Sequence, residues 1–243
     1  MKIIKLNATN STNTYLKQLA KETSILDETV VVTENQVMGR GQMGNAWASK
    51  QGQSLTFSIF KKTEGVFAEF QFLISMAVSV AIAEAITNLN VPNVSVKWPN
   101  DILSANRKIG GILIENVLEG SSVKYSIIGI GINVNETAFS NLPFASSMKL
   151  ERGADFNLEE VLDKVLRAVF KNLENLSQEN FQAIKQHYEN MLFRKEMISV
   201  FETPEAIRFN GIIKGVSDIG ELLVETENNA LQKFQLKEVQ LIY

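Results

Sequence analysis

Two of the most apolar runs in this chain, Ile109 to Val117 and Val123 to Val134, are rich in Ile and Val, as buried strands are. Yet Gly110 and Gly111 interrupt the first, and Gly129 and Gly131 the second. Glycine weakens a strand unless another backbone or a ligand must come close. A third group, Gly39, Gly41 and Gly44, sits in a Gly-, Gln- and Asn-rich stretch over 35–53, so seven of the 14 glycines fall in three places. Trp47 and Trp98 lie in or beside such segments. The pattern calls for a sheet with a patch on which something flat can lie, and a flexible loop able to fold over a ligand.

The remaining signals place these runs in an α+β protein. Asn10 to Asn13 opens a helix whose stripe is Tyr15, Leu16, Leu19 and Ala20. Thr29–Thr33 and Ser54–Phe60 read as strands. The apolar stretch 66–89 carries Glu69, Gln71 and Glu84, which makes it a buried helix rather than a membrane span. A short strand, Val94–Trp98, leads into a turn at Pro99, Asn100 and Asp101. Two amphipathic helices follow, one opening at Asn157 with Glu160 at its third position, the other running from Ser177 to about Leu192. After Arg194 only short alternating strands remain, with turn signals at Asn210-Gly211, Asp218 to Gly220 and Glu227 to Asn229. The expected architecture is a mixed β-sheet with flanking helices over 1–193, then a small β-barrel over 194–243.

Composition removes several kinds of chemistry. With no cysteine there is no thiolate nucleophile and no zinc–sulfur site, and with His187 alone no multi-histidine metal centre. His187 reads as a helix-surface residue. A net charge of −3 and a pI near 5.4 argue against a nucleic-acid partner. No signal-peptide layout opens the chain, and the cytoplasm is the default compartment. Any reaction must therefore use Lys, Arg, Asp, Asn and backbone amides, with any metal held by oxygens.

Gly39 to Gly44 matches GxGxxG, with an acidic residue, Glu64, further on. A dinucleotide fingerprint would need a helix after the third glycine, and Asn45 to Ser54 shows no helical stripe. What remains is a loop that offers amides and the Arg40 guanidinium to an anion. Lys97-Trp98-Pro99-Asn100-Asp101 brings Lys, Asn and Asp to a strand end, where ligands commonly bind. Arg107-Lys108-Ile109-Gly110-Gly111 puts a basic pair at the start of a glycine-marked strand, with Lys108 well placed to meet a carboxylate or phosphate.

Taken in order, Ser11-Thr12-Asn13, Gly39 to Trp47, Lys97 to Asp101, Arg107 to Gly111, Gly129 to Asn133 and the C-terminal barrel resemble the biotin–protein ligases that lack a DNA-binding domain. The likeness spans essentially the whole chain. It implies a class II synthetase-like biotin/lipoate ligase fold with a C-terminal SH3-like barrel. It also implies a two-step reaction, with biotin and ATP giving biotinyl-adenylate, and biotin then passing to a lysine of a carboxylase's biotin carboxyl carrier domain. By this resemblance Lys108, Arg40, Asp101 and Asn100 are the catalytic residues. Ser11, Thr12, Asn13, Gln36, Arg40, Gly41, Gln42, Lys108, Gly110, Gly111, Gly129 and Gly131 bind biotin. Gly39, Arg40, Trp47, Asn100, Lys108 and Asn133 bind ATP or the adenylate. No metal-ligating side chains are implied, and Mg²⁺ is expected to arrive with ATP, held by phosphates and water.

One departure stands out: the family loop often runs Gly-Arg-Gly-Arg-Arg-Gly, whereas Gln42 and Met43 stand here in place of the last two arginines. The ten residues before Ser11 are too few for a helix-turn-helix, so DNA is not an expected partner; with 66–89 read as a buried helix neither is a membrane, and exposed sheet edges leave homodimerisation open. The rival readings are an ATP-dependent lipoate–protein ligase and a non-catalytic biotin- or carrier-binding protein. Cysteine-dependent octanoyl transfer is excluded outright. An oligonucleotide-binding barrel is disfavoured because residues 198–243 hold more acidic than basic side chains.

Overall fold

Alternation of side chains along the Ile/Val strands gives the sheet two different faces, and helices cover both. The computed structural model describes every residue except Glu64, Asn141 and Asn175; Glu64, noted after the glycine loop, thus lies outside the described residues. Strands β1 (Lys2–Thr9), β2 (Thr29–Gln36), β3 (Ser54–Lys62), β4 (Val94–Lys97), β5 (Asp101–Ser104), β6 (Arg107–Glu119) and β7 (Ser122–Asn133) form one sheet. Their spatial order is β1-β2-β3-β7-β6-β5-β4. Only the β1–β2 pair is parallel, so the sheet is mixed, as expected.

On one face lies α1 (Thr12–Glu22), where Leu16 packs with Val31, Phe60 and Ile127. The adjacent residues Val30, Ile59 and Ile128 point the other way, into the main core with α2 (Phe72–Thr87) and α4 (Leu158–Glu174). The segment Ala68–Thr87 is apolar and long enough to cross a bilayer, but α2 is buried nearly all round, with Ile74, Met76, Val78 and Ile82 fully inside. Short α3 (Met148–Arg152) and α5 (Phe181–Asn190) complete this layer. Asn157 caps α4, its Oδ1 accepting from the amides of Glu159 and Glu160 at 2.9 and 3.2 Å.

The C-terminal part is a five-stranded antiparallel, SH3-like sheet: β8 (Ile198–Glu202), β9 (Arg208–Val216), β10 (Leu222–Thr226), β11 (Leu231–Phe234) and β12 (Gln240–Ile242), ordered β11-β10-β9-β8-β12. Turns occur at 218–220 and 227–229, but not at Asn210-Gly211, which lies inside β9. Glycine is needed there for space: a Cβ on Gly211 would come within 2.5 Å of Val224 on the neighbouring strand. The second amphipathic helix begins at Phe181, later than the Ser177 start signal, whose hydroxyl instead accepts from the Asn180 amide.

Two strands had no sequence signal. β1 mixes Lys and Asn with Ile and Leu because it is a half-exposed edge. β5 is only four residues long, and it makes Asp101 the first residue of a strand, paired with Lys97 across a hairpin turn through Trp98-Pro99-Asn100. The Tyr188 hydroxyl donates to the Pro99 carbonyl at 3.2 Å, so α5 braces this turn.

Candidate active site

The α1 face of the sheet is bare beyond the N-terminus of that helix, and there a cavity of about 270 Å³ opens. Its floor consists of residues that share the Phe60/Ile127 orientation: Thr56 on β3, Gly111 and Leu113 on β6, Gly129 and Gly131 on β7. Two glycines make contacts that a side chain would prevent. A Cβ on Gly129 would sit 2.3 Å from Asn13 Oδ1, and one on Gly131 would sit 2.3 Å from the Trp47 indole. The flat object lying on the strand is thus the protein's own Trp47, whose buried Nε1 has no hydrogen-bond partner. Gly110 has the opposite orientation, toward Ile102, and lies outside the lining, as do Gly39 and Asn133. Gly39 passes close under the Trp47 carbonyl, and Asn133 donates from Nδ2 to the Ser146 carbonyl at 3.0 Å while its buried Oδ1 has no partner.

One end of the cavity is a buried, uncharged polar slot. Gln36 Oε1 accepts from the Thr12 amide at 2.9 Å and lies 3.2 Å from the Thr12 hydroxyl. Gln36 rather than the Ser11 side chain therefore caps α1, and Ser11 makes no cap bond. The Ser58 hydroxyl lies 2.6 Å from Asn13 Oδ1 and 2.7 Å from Thr12 Oγ1. Ser11, Thr12, Asn13, Gln36 and Ser58 are all buried.

The other end carries charge. A register shift between Ile102 and Leu103 on β5 lets Lys108 share the face of Gly111, a usual consequence of a bulge. Lys108 Nζ lies 2.6 Å from Asp101 Oδ1 and 5.7 Å above the Trp47 ring. Lys97, opposite Asp101 in the hairpin, lies 4.9 Å above the Tyr243 ring. Burial pushes its ammonium pKa down, the Asp101 charge opposes that shift, and Lys108 adds to it. Asp101 is thus ion-paired to Lys108 and acts at longer range on Lys97. Asn100 fixes the adjoining turn, its Nδ2 donating to the Ile112 carbonyl and its own carbonyl accepting from the Ile112 amide at 3.1 Å.

The glycine loop covers the cavity. The Gly41 amide donates to the Asn45 carbonyl at 2.7 Å and the Trp47 amide to the Gly39 carbonyl at 2.9 Å, so the loop forms a small closed hairpin. Gly41, Gln42 and Met43 line the cavity, Met43 with a positive φ of 56°. The Arg40 guanidinium lies not beside Lys108 but on Glu115, at 2.8 Å. Sequence reasoning passed over Glu115, whose only signal is a carboxylate inside an Ile/Leu strand. It also passed over Leu236 and Lys237 of the β11–β12 connection, which close the cavity from the C-terminal sheet and carry no motif. Among the described residues no group of three or more His, Cys, Asp and Glu could hold a metal, and Asp101 is the sole carboxylate in the lining.

A mixed sheet with a glycine floor, a polar slot and the Lys108 ammonium under a glycine-rich hairpin defines a binding site for an organic anion with a polar head. The matching family model is that of the biotin/lipoate A/B protein ligase family, over residues 6–133, and the chain belongs to that family. It is 29% identical over 222 residues to the bifunctional ligase/repressor BirA of Bacillus subtilis, covering 88% of this chain and 66% of that protein. It is 27% identical over 226 residues to the biotin–[acetyl-CoA-carboxylase] ligase of Paracoccus denitrificans, covering 90% and 92%. Among solved structures, biotin protein ligase from Aquifex aeolicus in complex with biotin and ATP matches with a TM-score of 0.80 at 26% identity, covering 99% and 98%. The chain thus spans about two thirds of the Bacillus relative and nearly all of the Paracoccus one.

Proposed function

We propose that this chain is an ATP-dependent biotin–protein ligase that forms biotinyl-adenylate and transfers biotin to a lysine of a carboxylase carrier domain. The observation that carries this reading is the buried polar slot of Ser11, Thr12, Asn13 and Gln36, backed by the Ser58 hydroxyl, in the same cavity as Lys108. A ureido ring offers N–H donors and a carbonyl acceptor to such groups. A dithiolane or alkyl end offers no hydrogen bond to this polar surface while still excluding water from it, and sites built around polar groups discriminate against such ligands. The polar slot therefore favours biotin over lipoate.

In the first step a biotin carboxylate oxygen attacks the α-phosphorus of ATP, and the bond to the leaving pyrophosphate breaks. Lys108 brings an ammonium to the carboxylate and then to the acyl-phosphate oxygens, with loop amides closing over the same atoms. Trp47, already seated on Gly131, forms one wall against the adenylate, and Asn133 provides an acceptor behind it. A divalent cation travelling with ATP would be held chiefly by phosphate oxygens and water. In the second step the carrier lysine's amine attacks the anhydride carbonyl, AMP leaves, and the amine proton passes to Asp101 or to solvent. Gly39 and Gly110 would serve indirectly, by letting the loop and β6 lie close to their neighbours.

Calorimetric titration tests the slot. Biotin should bind at least about 100-fold more tightly than lipoate or octanoate, the discrimination expected of a site built to pair polar groups. Equal affinities would move the chain to the lipoate branch of its family.

A further inference from the structure

We infer that Glu115 is a positioning residue that tethers the glycine loop and the slot to the same strand. Its functional consequence rests on the reading above; its structural basis does not. Glu115 lies on β6 just outside the cavity lining and has three partners. Oε2 accepts from Arg40 at 2.8 Å and from Asn13 Nδ2 at 3.0 Å, while Oε1 faces Lys17 Nζ at 3.2 Å. One carboxylate thus joins the loop, the slot's amide and helix α1. Burial would raise its pKa, but the hydrogen bonds from Asn13 and Lys17, with the Arg40 charge, outweigh burial and hold the carboxyl below its ordinary range.

The arrangement has a chemical reason in this chain. Gln42 and Met43 supply no charge, so Arg40 is the loop's one guanidinium. Two side chains of the Gly39–Trp47 hairpin rest on the sheet, Trp47 on Gly131 and Arg40 on Glu115. Asn13 cannot turn while its Nδ2 is shared between Glu115 and the Leu113 carbonyl at 3.2 Å. Its Oδ1 is thereby kept toward Ser58 and the slot.

Hydrogen exchange in the ligand-free protein tests the tether independently of what the site binds. In Glu115→Gln the amides of Gly41, Asn45 and Trp47 should exchange about ten-fold faster, as expected on losing one charge-assisted contact, with β3 and β7 unchanged. Arg40→Gln, on an exposed loop that does not threaten folding, should do the same. Glu115→Gln should add nothing in the Arg40→Gln background, and Lys17→Ala should leave the loop unaffected. With substrates, Glu115→Gln should raise the KM for biotin while kcat changes less than about two-fold. Unchanged loop exchange in both single variants would overturn the tether. So would equal acceleration by Glu115→Gln with and without Arg40. A normal tether in a protein that does not bind biotin would instead count only against the proposed function.

Discussion

Asp101 pairs with Lys108 and lies opposite Lys97 in the hairpin. Under the proposed function it would neutralise Lys108 in the resting protein and, once an anionic substrate takes that lysine, face the incoming carrier amine. Asp101→Asn should therefore lower transfer to the carrier at least about 100-fold, the usual scale of a positioned general base; single-turnover transfer from preformed adenylate measures it, and an unchanged rate refutes the role. Gly131 gives a second prediction. Alanine there would need the space held by the Trp47 indole, and overpacking of this kind costs about 1–3 kcal/mol. Gly131→Ala should weaken adenylation by about ten-fold or more and shift tryptophan emission to the red. Lys108 and the floor glycines were legible in the sequence because lysine and glycine are out of place in Ile/Val strands. Glu115 was not, since one carboxylate in a long strand also fits an exposed edge, and only the fold brings Arg40, Asn13 and Lys17 to it.

The covering loop lacks two of the arginines that the resemblance leads one to expect, carrying Gln42 and Met43 instead. With Arg40 held on Glu115, the proposed function would leave retention of the adenylate to backbone amides and to Trp47. Gln42→Arg would add a guanidinium facing the cavity. It should slow release of biotinyl-adenylate several-fold, as one charge-assisted hydrogen bond would, and equal release rates from both proteins would exclude this account. The loop's position between two strands was readable from its glycines and length, and so were helix α1 from its apolar stripe and α4 from its stripe and its Asn157 cap. β5 was hidden because four residues after a Pro-Asn-Asp turn signal read as turn, while their pairing with β4 and β6 is a tertiary fact. Asn210-Gly211 misled for the opposite reason: a strong turn dipeptide sits mid-strand because Val224 needs the room.

At the scale of the whole molecule, the C-terminal sheet is fastened behind the site and also reaches into it. Trp98 Nε1 donates to the Gly220 carbonyl at 2.9 Å, and Phe72 packs under Gly220. Glu189 Oε1 accepts from the Val216 amide at 3.0 Å, and Lys185 pairs with Asp218 at 2.6 Å. The core runs on through Tyr188, Leu192, Phe201 and Ile213. We propose 1–193 and 194–243 as the two domains, joined rigidly so that Leu236 and Lys237 keep their place at the cavity. The composition shift near 194 was visible in the sequence; the junction was not, because its contacts use a tryptophan, a glycine carbonyl and a glutamate that form no motif. Trp98→Phe removes a hydrogen bond worth about 1 kcal/mol and should lower Tm by roughly 2–4 °C, measured by calorimetry; an unchanged Tm would show that the junction does not depend on it.

Activation of biotin with ATP by the polar slot and Lys108 is tested most directly by biotin-dependent exchange of labelled pyrophosphate into ATP, which needs no carrier, with lipoate and octanoate run alongside. Exchange with biotin alone, lost in Lys108→Ala, is the expected result. Exchange driven by lipoate or octanoate, or none with any acid, would contradict the proposed function.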